Sequence, residues 1–248
     1  MPLLLGVNVD HVATLRQARY ARMPGVAQAE PRPLDAGHDA RSGGADSLTI
    51  HVRGDRRHLQ EADAYQIRAG VPLPLNFDMG VTEELVVMAL KLRPDYACLV
   101  PELREEITTE GGLDVRTGFD HIRTVVARLQ DAGIKVSLFI DPAPEQIEAA
   151  VRTSAMMIEL HTGAFANATG DDQDAELARL IAAAASGHAA GLQINAGHGI
   201  NYTNITRLWA VPNLMELNIG HSIVSRAIRV GMTTAVREMK DLMAHYLA

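Results

Sequence analysis

The sequence predicts an α/β fold, a (β/α)8 TIM barrel with extra helices, and three observations support it. Eight short apolar stretches each end in polar or ionisable residues, and most are followed by a helix-like segment. Parallel strands need crossover helices, and a closed barrel leaves no strand edge exposed. The chain of 248 residues has the length of one such barrel, so we expect a single domain over residues 1–248. The stretches are Leu3–His11, Ser47–Arg53, Leu73–Met79, Tyr96–Glu102, Lys135–Asp141, Met156–Gly163, Gly191–Gly199 and Met215–His221.

Alternation within the stretches is the third observation. Thr49, His51 and Arg53 fall on one side of the second stretch, and Ile50 and Val52 fall on the other. Successive side chains of a strand point to opposite faces, so one face packs on helices and the other lines the barrel lumen. Unpaired buried polar groups cost stability, so the pattern favours a ligand site over the alternative, a structural hydrogen-bond network. The same alternation gives three further stretches polar lumen residues: Asn8 and Asp10, Asn76 and Asp78, and Glu159 and His161.

Helix signals between the stretches predict the outer layer. Thr82 is a suitable N-terminal cap for a helix over Glu83–Leu92, and Pro94 follows its end. Gly133 is a suitable left-handed cap after His121–Asp131. Further helices are predicted over Glu145–Arg152, with Asp141 as a possible cap, and over Asp174–Ala190, Ser222–Arg229 and Thr233–Tyr246.

Two segments are predicted to be irregular. Pro24–Gly44 is rich in proline and glycine, with a helical pattern only over Leu34–Arg41, so the first connector is expected to be partly loop. Glu102–Gly118 is polar and contains two adjacent glycines. A long loop after a barrel strand is a candidate lid that excludes water from a site; the alternative is a surface loop without a role.

Composition and charge restrict the class of protein. Hydrophobic residues make up 47% and charged residues 21%, as in ordinary globular proteins, and no apolar stretch approaches the roughly 20 residues that a membrane span needs. The net charge of −7 argues against nucleic acid as a partner, because phosphate backbones bind broad basic surfaces. The single cysteine, Cys98, excludes an internal disulfide, and the first residues lack the basic segment of a signal peptide. We expect a cytoplasmic protein without a membrane or nucleic-acid partner.

Glycine-rich backbone ends the seventh and eighth stretches, at Asn195–Gly199 and Asn218–Ser222. Glycine lets main-chain N–H groups approach a ligand closely, and a helix beginning near Ser222 adds a favourable N-terminal dipole. Loops after the seventh and eighth strands often bind phosphate in such barrels, so we expect phosphate here; the alternative is that the glycines only form tight turns. Arginines after the first two stretches could hold further anions or be solvated loop charges: Arg16, Arg19 and Arg22, and Arg53, Arg56 and Arg57.

Two histidines and two carboxylic acids from four stretches are the candidate catalytic groups: His51, His198, Asp78 and Glu159. Histidine, with an ordinary pKa of about 6.5, can accept and donate protons near neutral pH. Four such groups at one end of a barrel suit a reaction with repeated proton transfers. His161 also faces the lumen, and whether it orients another histidine stays open.

A metal site is the competing interpretation of the histidine count. No His-x-His pair ends a stretch, and no zinc-binding spacing of cysteines or His-Glu-x-x-His is present. Arg53 beside His51 would also repel a cation, so we expect no metal. The possible ligands are His11, His51, His58, His161, His198 and His221, with Asp10, Asp78 and Glu159.

Eight motifs in chain order resemble the pyridoxine 5′-phosphate synthase family, the ring-closing enzymes of the deoxyxylulose-dependent vitamin B6 pathway. They extend over nearly the whole chain, and their joint occurrence is highly specific. They are Gly6-Val-Asn-Val-Asp-His11-Val-Ala-Thr-Leu-Arg16, Thr49-Ile-His51-Val-Arg53, Asp55-Arg-Arg-His58, Thr108-Thr-Glu-Gly-Gly-Leu-Asp114, Val136-Ser-Leu-Phe-Ile-Asp141, Ile158-Glu159-Leu-His161-Thr-Gly163, Asn195-Ala-Gly-His198-Gly199 and Leu217-Asn-Ile-Gly-His221.

The resemblance implies that 1-deoxy-D-xylulose 5-phosphate and 3-amino-2-oxopropyl phosphate condense to pyridoxine 5′-phosphate, releasing phosphate and water. It implies His51 as a proton acceptor, His198 as a proton donor and Glu159 as a group that stabilises a transition state. No metal or organic cofactor is implied, and family members are cytoplasmic homo-octamers built from dimers. The residues implied to bind the deoxyxylulose phosphate are Asp10, His11, Arg53, His58 and Thr108. Those implied to bind the aminoketone phosphate are Asn8, Arg19, Gly199, Gly220 and His221.

One position departs from the family pattern. After the third strand the family has Asn-x-Glu-Met-Ala, with the glutamate a proton acceptor, whereas this chain has Asn76-Phe-Asp78-Met-Gly80. Aspartate is shorter by one methylene, about 1.5 Å, and misplacement on that scale costs about a hundredfold in rate. Three alternatives follow for this position: either Gly80 lets the backbone shift inward, or a water bridges the gap, or the role of Asp78 as proton acceptor is weakened.

Two other functions stay open from the sequence. The histidine count is compatible with a metal-dependent aldolase or isomerase of phosphosugars. Asp78 in place of the family glutamate is compatible with a non-catalytic protein that binds phosphate ligands or serves in assembly. Activity in metal-free protein and turnover of substrates distinguish these from the synthase.

Overall fold

Eight parallel strands close into a barrel, as the sequence predicts. In the computed structural model, which describes residues 2–102 and 111–246, each strand pairs with the next and the eighth pairs with the first. Parallel pairing places all C-terminal strand ends at one end of the barrel, called the upper rim below. The strands are β1 (Leu4–Asn8), β2 (Ser47–His51), β3 (Leu75–Met79), β4 (Tyr96–Leu99), β5 (Lys135–Ile140), β6 (Met157–His161), β7 (Gln193–Gly197) and β8 (Leu214–Ile219).

Helices connect the strands and flank the barrel. A short 3-10 helix, Ile205–Ala210, precedes β8. The α-helices of the described residues are α1 (Asp10–Tyr20), α2 (Pro33–Gly43), α3 (Glu61–Gly70), α4 (Glu83–Leu92), α5 (Phe119–Asp131), α6 (Pro144–Thr153), α7 (Gly163–Asn167), α8 (Gly170–Ala189), α9 (His221–Val230) and α10 (Met232–Met243).

The hydrophobic core lies between the barrel and its helices. Strand residues such as Val7, Ile50 and Phe77 are completely buried and share one cluster with helix residues such as Leu85 and Ile122. Burial of this apolar surface drives the helices onto the outer face of the barrel. The inner face keeps the polar residues that alternate with these apolar ones, and the upper rim carries the candidate site. Among the described residues, no helix combines the length and apolar composition needed to cross a membrane.

The beginning of the chain corrects the predicted pattern. β1 ends at Asn8 and α1 begins at Asp10, so the predicted strand Leu3–His11 is too long and the alternation argument for Asp10 is wrong. The first connector is partly loop, as expected, with irregular backbone over residues 21–32, but α1 was not predicted. The predicted helix Leu34–Arg41 is α2, extended at both ends.

Two predicted helix ends are confirmed by their hydrogen bonds and dihedral angles. The hydroxyl of Thr82 accepts a hydrogen bond from the backbone N–H of Leu85 (3.4 Å) at the start of α4. Gly133 has a φ of +81°, the left-handed conformation expected after α5. α9 and α10 each begin one residue earlier than predicted, and α10 ends earlier.

Other helix predictions are corrected. Asp141 does not cap α6, because Ala143 stands at that position and the Asp141 carboxylate binds His161 instead. α8 begins at Gly170 rather than Asp174. α3 and α7 are additional helices. Within the predicted loop 102–118, residues 103–110 lie outside the described residues, so the proposed lid stays a prediction.

Candidate active site

Asp10 connects the upper ends of β1 and β2. Its Oδ1 atom accepts a hydrogen bond from the backbone N–H of His51 (2.8 Å), and its Oδ2 atom accepts one from Nδ2 of Asn8 (2.7 Å). The backbone N–H of Asp10 donates in turn to Oδ1 of Asn8 (2.9 Å). Asp10 and His51 are both buried. The first turn of α1 therefore supplies the rim with a carboxylate that the sequence pattern placed on a strand.

Glu102 joins the segments that follow β2, β3 and β4. Its Oε1 atom lies 2.9 Å from Nε2 of His51, and the backbone N–H groups of Gly54 and Gly80 donate to Oε2 and Oε1 at 3.0 and 3.3 Å. Burial acts to raise the pKa of Glu102, but hydrogen bonds from His51 and Gly54 outweigh it, so the pKa is lowered from its usual value. An ionised carboxylate only accepts hydrogen bonds, so Nε2 of His51 carries the proton.

Arg53 and His58 extend the site beyond the end of β2, and both are buried. The rings of His58 and His51 are edge-to-face with centroids 5.9 Å apart, and Nδ1 of His58 accepts a hydrogen bond from the backbone N–H of Leu59 (2.7 Å). Burial lowers the pKa of His58, and the positive charge of Arg53 acts in the same direction. His58 is therefore neutral at neutral pH and can take part in hydrogen bonds as an uncharged imidazole.

Asp10, His51 and His58 form a potential metal-binding group. Each offers one ligand atom, and these atoms lie within 4.8 Å of one another. Two imidazoles and a carboxylate form a donor set found in catalytic zinc sites. The positive charge of Arg53, which also follows β2, opposes a cation there. Within residues 2–102 and 111–246 no second group of this kind is present.

Glu159 occupies the lumen on β6. Its Oε2 atom accepts a hydrogen bond from Nδ2 of Asn218 (2.6 Å) and lies 3.9 Å from Sγ of Cys98. Gly197 on β7 leaves the necessary space, since a Cβ atom there would lie 2.1 Å from Oε1 of Glu159. Burial raises the pKa of Glu159 to about 8, and the carboxyl of Glu216 acts in the same direction. Glu159 is thus mainly protonated at neutral pH and can donate a hydrogen bond.

Replacing Glu159 by glutamine is expected to remove a pH-dependent loss of stability. Between pH 4.5 and about 8 the folded state keeps the Glu159 proton that the unfolded state has released, so wild-type stability falls as pH rises through this range. Each pH unit in this range lowers the free energy of unfolding of the wild type by at most roughly 1.4 kcal/mol. In urea unfolding, the stability of Glu159→Gln relative to wild type should increase from pH 5 to pH 8. The stability of Glu148→Gln, a variant on the exposed face of α6, should not change relative to wild type over this range. Parallel curves for wild type and Glu159→Gln would contradict the raised pKa.

Asp78 stands beside His51 in the β2–β3 register. Its Oδ1 atom accepts a hydrogen bond from Nδ2 of Asn76 (3.0 Å). Burial raises the pKa of Asp78 well above its usual range, and the nearby carboxyls of Glu159 and Asp10 act in the same direction. The protonated form is therefore favoured. This opposes a role for Asp78 as a proton acceptor in the ligand-free protein.

Hydrogen bonds between side chains fill the lumen below these groups. The hydroxyl of Ser47 donates to Glu216, and the hydroxyl of Thr49 donates to Oδ1 of Asn218 (3.0 Å). Asn218 then donates to Glu159, so the lower network reaches the candidate catalytic carboxyl. The two interpretations of the polar lumen thus apply to different levels: a structural network below, and potential ligand-binding groups at the rim.

His198 follows β7 in a left-handed backbone conformation, with a φ of +79°, which few residues other than glycine adopt. The hydroxyl of Thr162 donates to its carbonyl oxygen at 2.5 Å, and its ring is edge-to-face with that of His161, with centroids 5.2 Å apart. Burial lowers the pKa of His198 to about 4, and the charges of His161 and His11 act in the same direction. His198 is therefore neutral in the ligand-free protein at neutral pH.

His161 is held by Asp141. Its Nδ1 atom lies 2.9 Å from Oδ1 of Asp141, which also accepts a hydrogen bond from the backbone N–H of Gly112 (3.1 Å). The hydrogen bond from His161 lowers the pKa of Asp141, so the carboxylate is ionised and fixes the proton on Nδ1. His161 in turn packs against His198. This arrangement supports the orienting role that the sequence left open.

Backbone N–H groups and a histidine pair line the rim at β7, β8 and β1. Gly199 has a φ of +78°, and Gly220 caps α9, whose first residue is His221. The first N–H groups of a helix have no partner inside the helix and attract anions. Nδ1 of His11 lies 2.9 Å from Nδ1 of His221, which brings α1 to the same place. Asn8 closes the group, because its side chain packs against Gly220.

The family model "Pyridoxal phosphate biosynthesis protein PdxJ" matches residues 5–245 of the chain. The match covers β1 from its second residue, the other seven strands of the barrel and every described residue of the site. The chain belongs to this family.

Curated relatives agree with the PdxJ match. A pyridoxine 5′-phosphate synthase from Akkermansia muciniphila is 61% identical over 240 residues, which cover 96% of this chain and 98% of the relative. A pyridoxine 5′-phosphate synthase from Synechocystis sp. is 53% identical over 242 residues, covering 97% of this chain and 98% of the relative. The PdxJ family member described here is accordingly an enzyme.

Solved structures of lower similarity support the fold alone. KGPDC from Streptococcus mutans superposes with a TM-score of 0.66 at 10% identity and covers 100% of both chains. The 3-keto-L-gulonate-6-phosphate decarboxylase from Vibrio cholerae superposes with a TM-score of 0.64 at 13% identity, again over 100% of both chains. A shared barrel at this identity does not transfer an activity.

Two of the sequence-predicted arginines, Arg19 and Arg16, are not gathered with the rest. Arg19 is exposed in the last turn of α1, where its guanidinium stacks 5.7 Å from the ring of Tyr20. Thr108 lies outside the described residues. Arg16, considered as an anion-holding arginine, is buried and makes a bidentate ion pair with Asp63 at 2.6 and 2.8 Å. Arg16 therefore stabilises the α1–α3 contact, and the roles of Arg19 and Thr108 stay predictions.

Sequence reasoning missed the contacts of Glu102 and Asp141 with the two lumen histidines. Both residues end a predicted stretch, so their position at a strand end was the available signal. Neither could be paired with its histidine, because Glu102 and His51 are 51 positions apart and Asp141 and His161 are 20 apart. Such pairs depend on the barrel geometry.

Proposed function

We propose that this PdxJ family member is a pyridoxine 5′-phosphate synthase that joins 1-deoxy-D-xylulose 5-phosphate to 3-amino-2-oxopropyl phosphate, releasing phosphate and water. The observation that carries the proposal is that the closed parallel barrel brings His51, His198 and His221 to one rim above Glu159 in the lumen, beside the first N–H groups of α9, which suit an anion. The names of the curated relatives support the same reaction.

The reaction is one of proton transfers. An amine attacks a ketone, an imine tautomerises, phosphate leaves, and an aldol-type closure forms the ring. None of these steps needs oxidation or reduction, so we propose acid–base catalysis by side chains without an added cofactor. Holding both substrates in register contributes roughly 7–11 kcal/mol to such a reaction.

In these transfers His51 is proposed to accept a proton and His198 to donate one. With the Nε2 proton of His51 held by Glu102, its Nδ1 atom is the nitrogen free to accept a proton. His198 is neutral before binding, and an adjacent phosphate would favour its protonated form. Protonated Glu159 can donate a hydrogen bond to a developing negative charge in the lumen. Asp78, with its raised pKa, is proposed to be a weak acceptor.

The two phosphorylated substrates are proposed to be held by two adjoining groups of residues. One group of residues lies around the ends of β1 and β2 and would hold the deoxyxylulose phosphate: Asp10, His11, Arg53 and His58, with Thr108. The other lies around β7, β8 and the start of α9 and would hold the aminoketone phosphate: Asn8, Gly199, Gly220 and His221, with Arg19. Because Asn8 and Asp10 are hydrogen-bonded to each other, the two groups are in direct contact.

The test is an assay with purified protein and both substrates, following pyridoxine 5′-phosphate and inorganic phosphate. The proposal predicts both products together, in equal amounts, after the protein has been treated with a chelator. Either substrate alone should give no product. No pyridoxine 5′-phosphate at saturating substrates would overturn the proposal.

The Asp10, His51 and His58 group favours a second candidate, a metal-dependent aldolase or isomerase of phosphosugars. Elemental analysis of the protein, and its activity before and after chelation, distinguish this candidate from the synthase. Cleavage or isomerisation of phosphosugars that is lost on chelation and restored by zinc would favour this candidate over the synthase.

We also propose a cytoplasmic homo-octamer built from dimers, on the resemblance to the family. Light scattering of the purified protein would give a mass eight times that of the 26.8 kDa chain. A monomer at micromolar concentration would contradict the assembly without affecting the proposed reaction.

A further inference from the structure

The Glu102 carboxylate, which follows β4, is held by three donors from the ends of β2 and β3. It accepts hydrogen bonds from the His51 imidazole after β2, from the backbone N–H of Gly54 in the same connector, and from the backbone N–H of Gly80 after β3. Its side chain is 16% exposed, so water competes little for these contacts. A carboxylate with three donors from two strand ends has one defined position, and it fixes the imidazole that it contacts.

Gly80 provides the space for this contact. A Cβ atom at Gly80 would lie 2.9 Å from Cδ of Glu102 and 3.2 Å from its Oε1 atom, both closer than a Cβ normally approaches a neighbour. Gly54 also faces the carboxylate, with a distance of 3.2 Å from its Cβ position to Oε2. The backbone of this chain therefore comes closer to Glu102 than a side chain at position 80 would allow.

Asp78 does not offer His51 the same partner. Its carboxyl accepts a hydrogen bond from Asn76, and burial beside Glu159 and Asp10 favours its protonated form. The pKa of Glu102 is shifted the other way, so this carboxyl is ionised at neutral pH. The ionised carboxylate hydrogen-bonded to the His51 imidazole is thus that of Glu102, which follows β4, and not that of Asp78 on β3.

We propose that Glu102 is a positioning residue for the synthase reaction: it holds the Nε2 proton of His51, leaves Nδ1 as the accepting nitrogen, and stabilises the imidazolium that forms when Nδ1 takes a proton. The inference rests on the proposed function and assigns this task to a residue outside the family motifs described above. A histidine oriented by a carboxylate is a more effective base, because its tautomer and its protonated form are both favoured.

Glu102→Gln is the decisive variant, because glutamine keeps the size and the acceptor oxygen but removes the charge. We expect kcat to fall about 10- to 100-fold with KM changed less than about threefold, since no substrate contact is removed. We also expect the acid limb of the kcat/KM profile to move to lower pH, because removal of the negative charge beside the imidazole disfavours its protonated form. The other ionisable groups around His51 are Asp10, Arg53, His58 and Asp78, and all remain in this variant.

Two further proteins control the experiment. Glu148→Gln makes the same charge change on the exposed face of α6 and should match wild type in rate and profile. Glu102→Asp keeps the charge but retracts it by about 1.5 Å, so it should lower kcat without moving the acid limb as far as glutamine does. An unmoved limb in a folded Glu102→Gln protein, or a fall in kcat/KM that resides in KM, would overturn the inference. Absence of product from the wild type itself would overturn the proposed function instead.

Discussion

Replacing His51 by glutamine is expected to lower kcat by about 10²- to 10⁴-fold, the contribution of a general base. Glutamine can still donate a hydrogen bond to Glu102, so the rim should keep its structure while losing the basic nitrogen. Single-turnover measurements with both substrates bound would locate the loss in the chemical steps rather than in binding. The variant should bind each substrate within a few-fold of wild type.

The control for this variant is His188→Gln, which removes an exposed histidine from the last turn of α8. It should retain wild-type activity. A His51→Gln protein with more than about a tenth of wild-type kcat would mean that general-base catalysis resides elsewhere, with Asp78 as the next candidate. Thermal unfolding should be compared between the two variants so that a fold defect is not mistaken for lost catalysis.

Replacing His198 by asparagine is expected to cause a loss of similar size, about 10²- to 10⁴-fold in kcat, because the proton donor is removed. Asparagine tolerates the left-handed backbone that His198 adopts, so the strand end should keep its shape. The pKa of His198 near 4 also predicts proton uptake when a phosphate ligand binds beside it, since an anion favours the charged imidazole.

Calorimetry in buffers of different ionisation enthalpy measures that uptake. At pH 6 to 7 wild type should take up protons on binding 3-amino-2-oxopropyl phosphate, and His198→Asn should take up fewer. His188→Asn should behave as wild type. Equal proton uptake by wild type and His198→Asn would show that His198 does not gain a proton on binding.

The barrel and most of its lumen could be predicted from the sequence because strand geometry is local. A two-residue alternation such as Thr49, Ile50, His51 leads directly to one polar and one apolar face, and the structure confirms it for β2 and β6. The glycines at the ends of β7 and β8 could be interpreted from the sequence in the same way, because left-handed backbone and close approach to a neighbour favour glycine.

Contacts between distant segments could not be predicted in the same way. Asp10 enters the rim from the first turn of α1, because β1 ends at Asn8, three residues before the end of the predicted stretch. The pairing of Glu102 with His51 depends on how close the connectors after β2 and β4 come, and so does the space at Gly80. The raised pKa of Asp78 comes from its burial and from the neighbouring carboxyls of other segments. Alternation places Asp78 in the lumen but does not identify these neighbours.

The most direct test is a crystal structure of the protein with 1-deoxy-D-xylulose 5-phosphate and inorganic phosphate. We predict one phosphate at the N–H groups of Gly199, Gly220 and His221, and the deoxyxylulose phosphate by Arg53 and His58, with its carbons between His51 and His198. The opposite end of the barrel has a cavity of about 310 Å³ whose lining includes three cations, Arg68, Arg93 and Lys135. Both phosphates bound there, with the upper rim empty, would contradict the assignment of the active site.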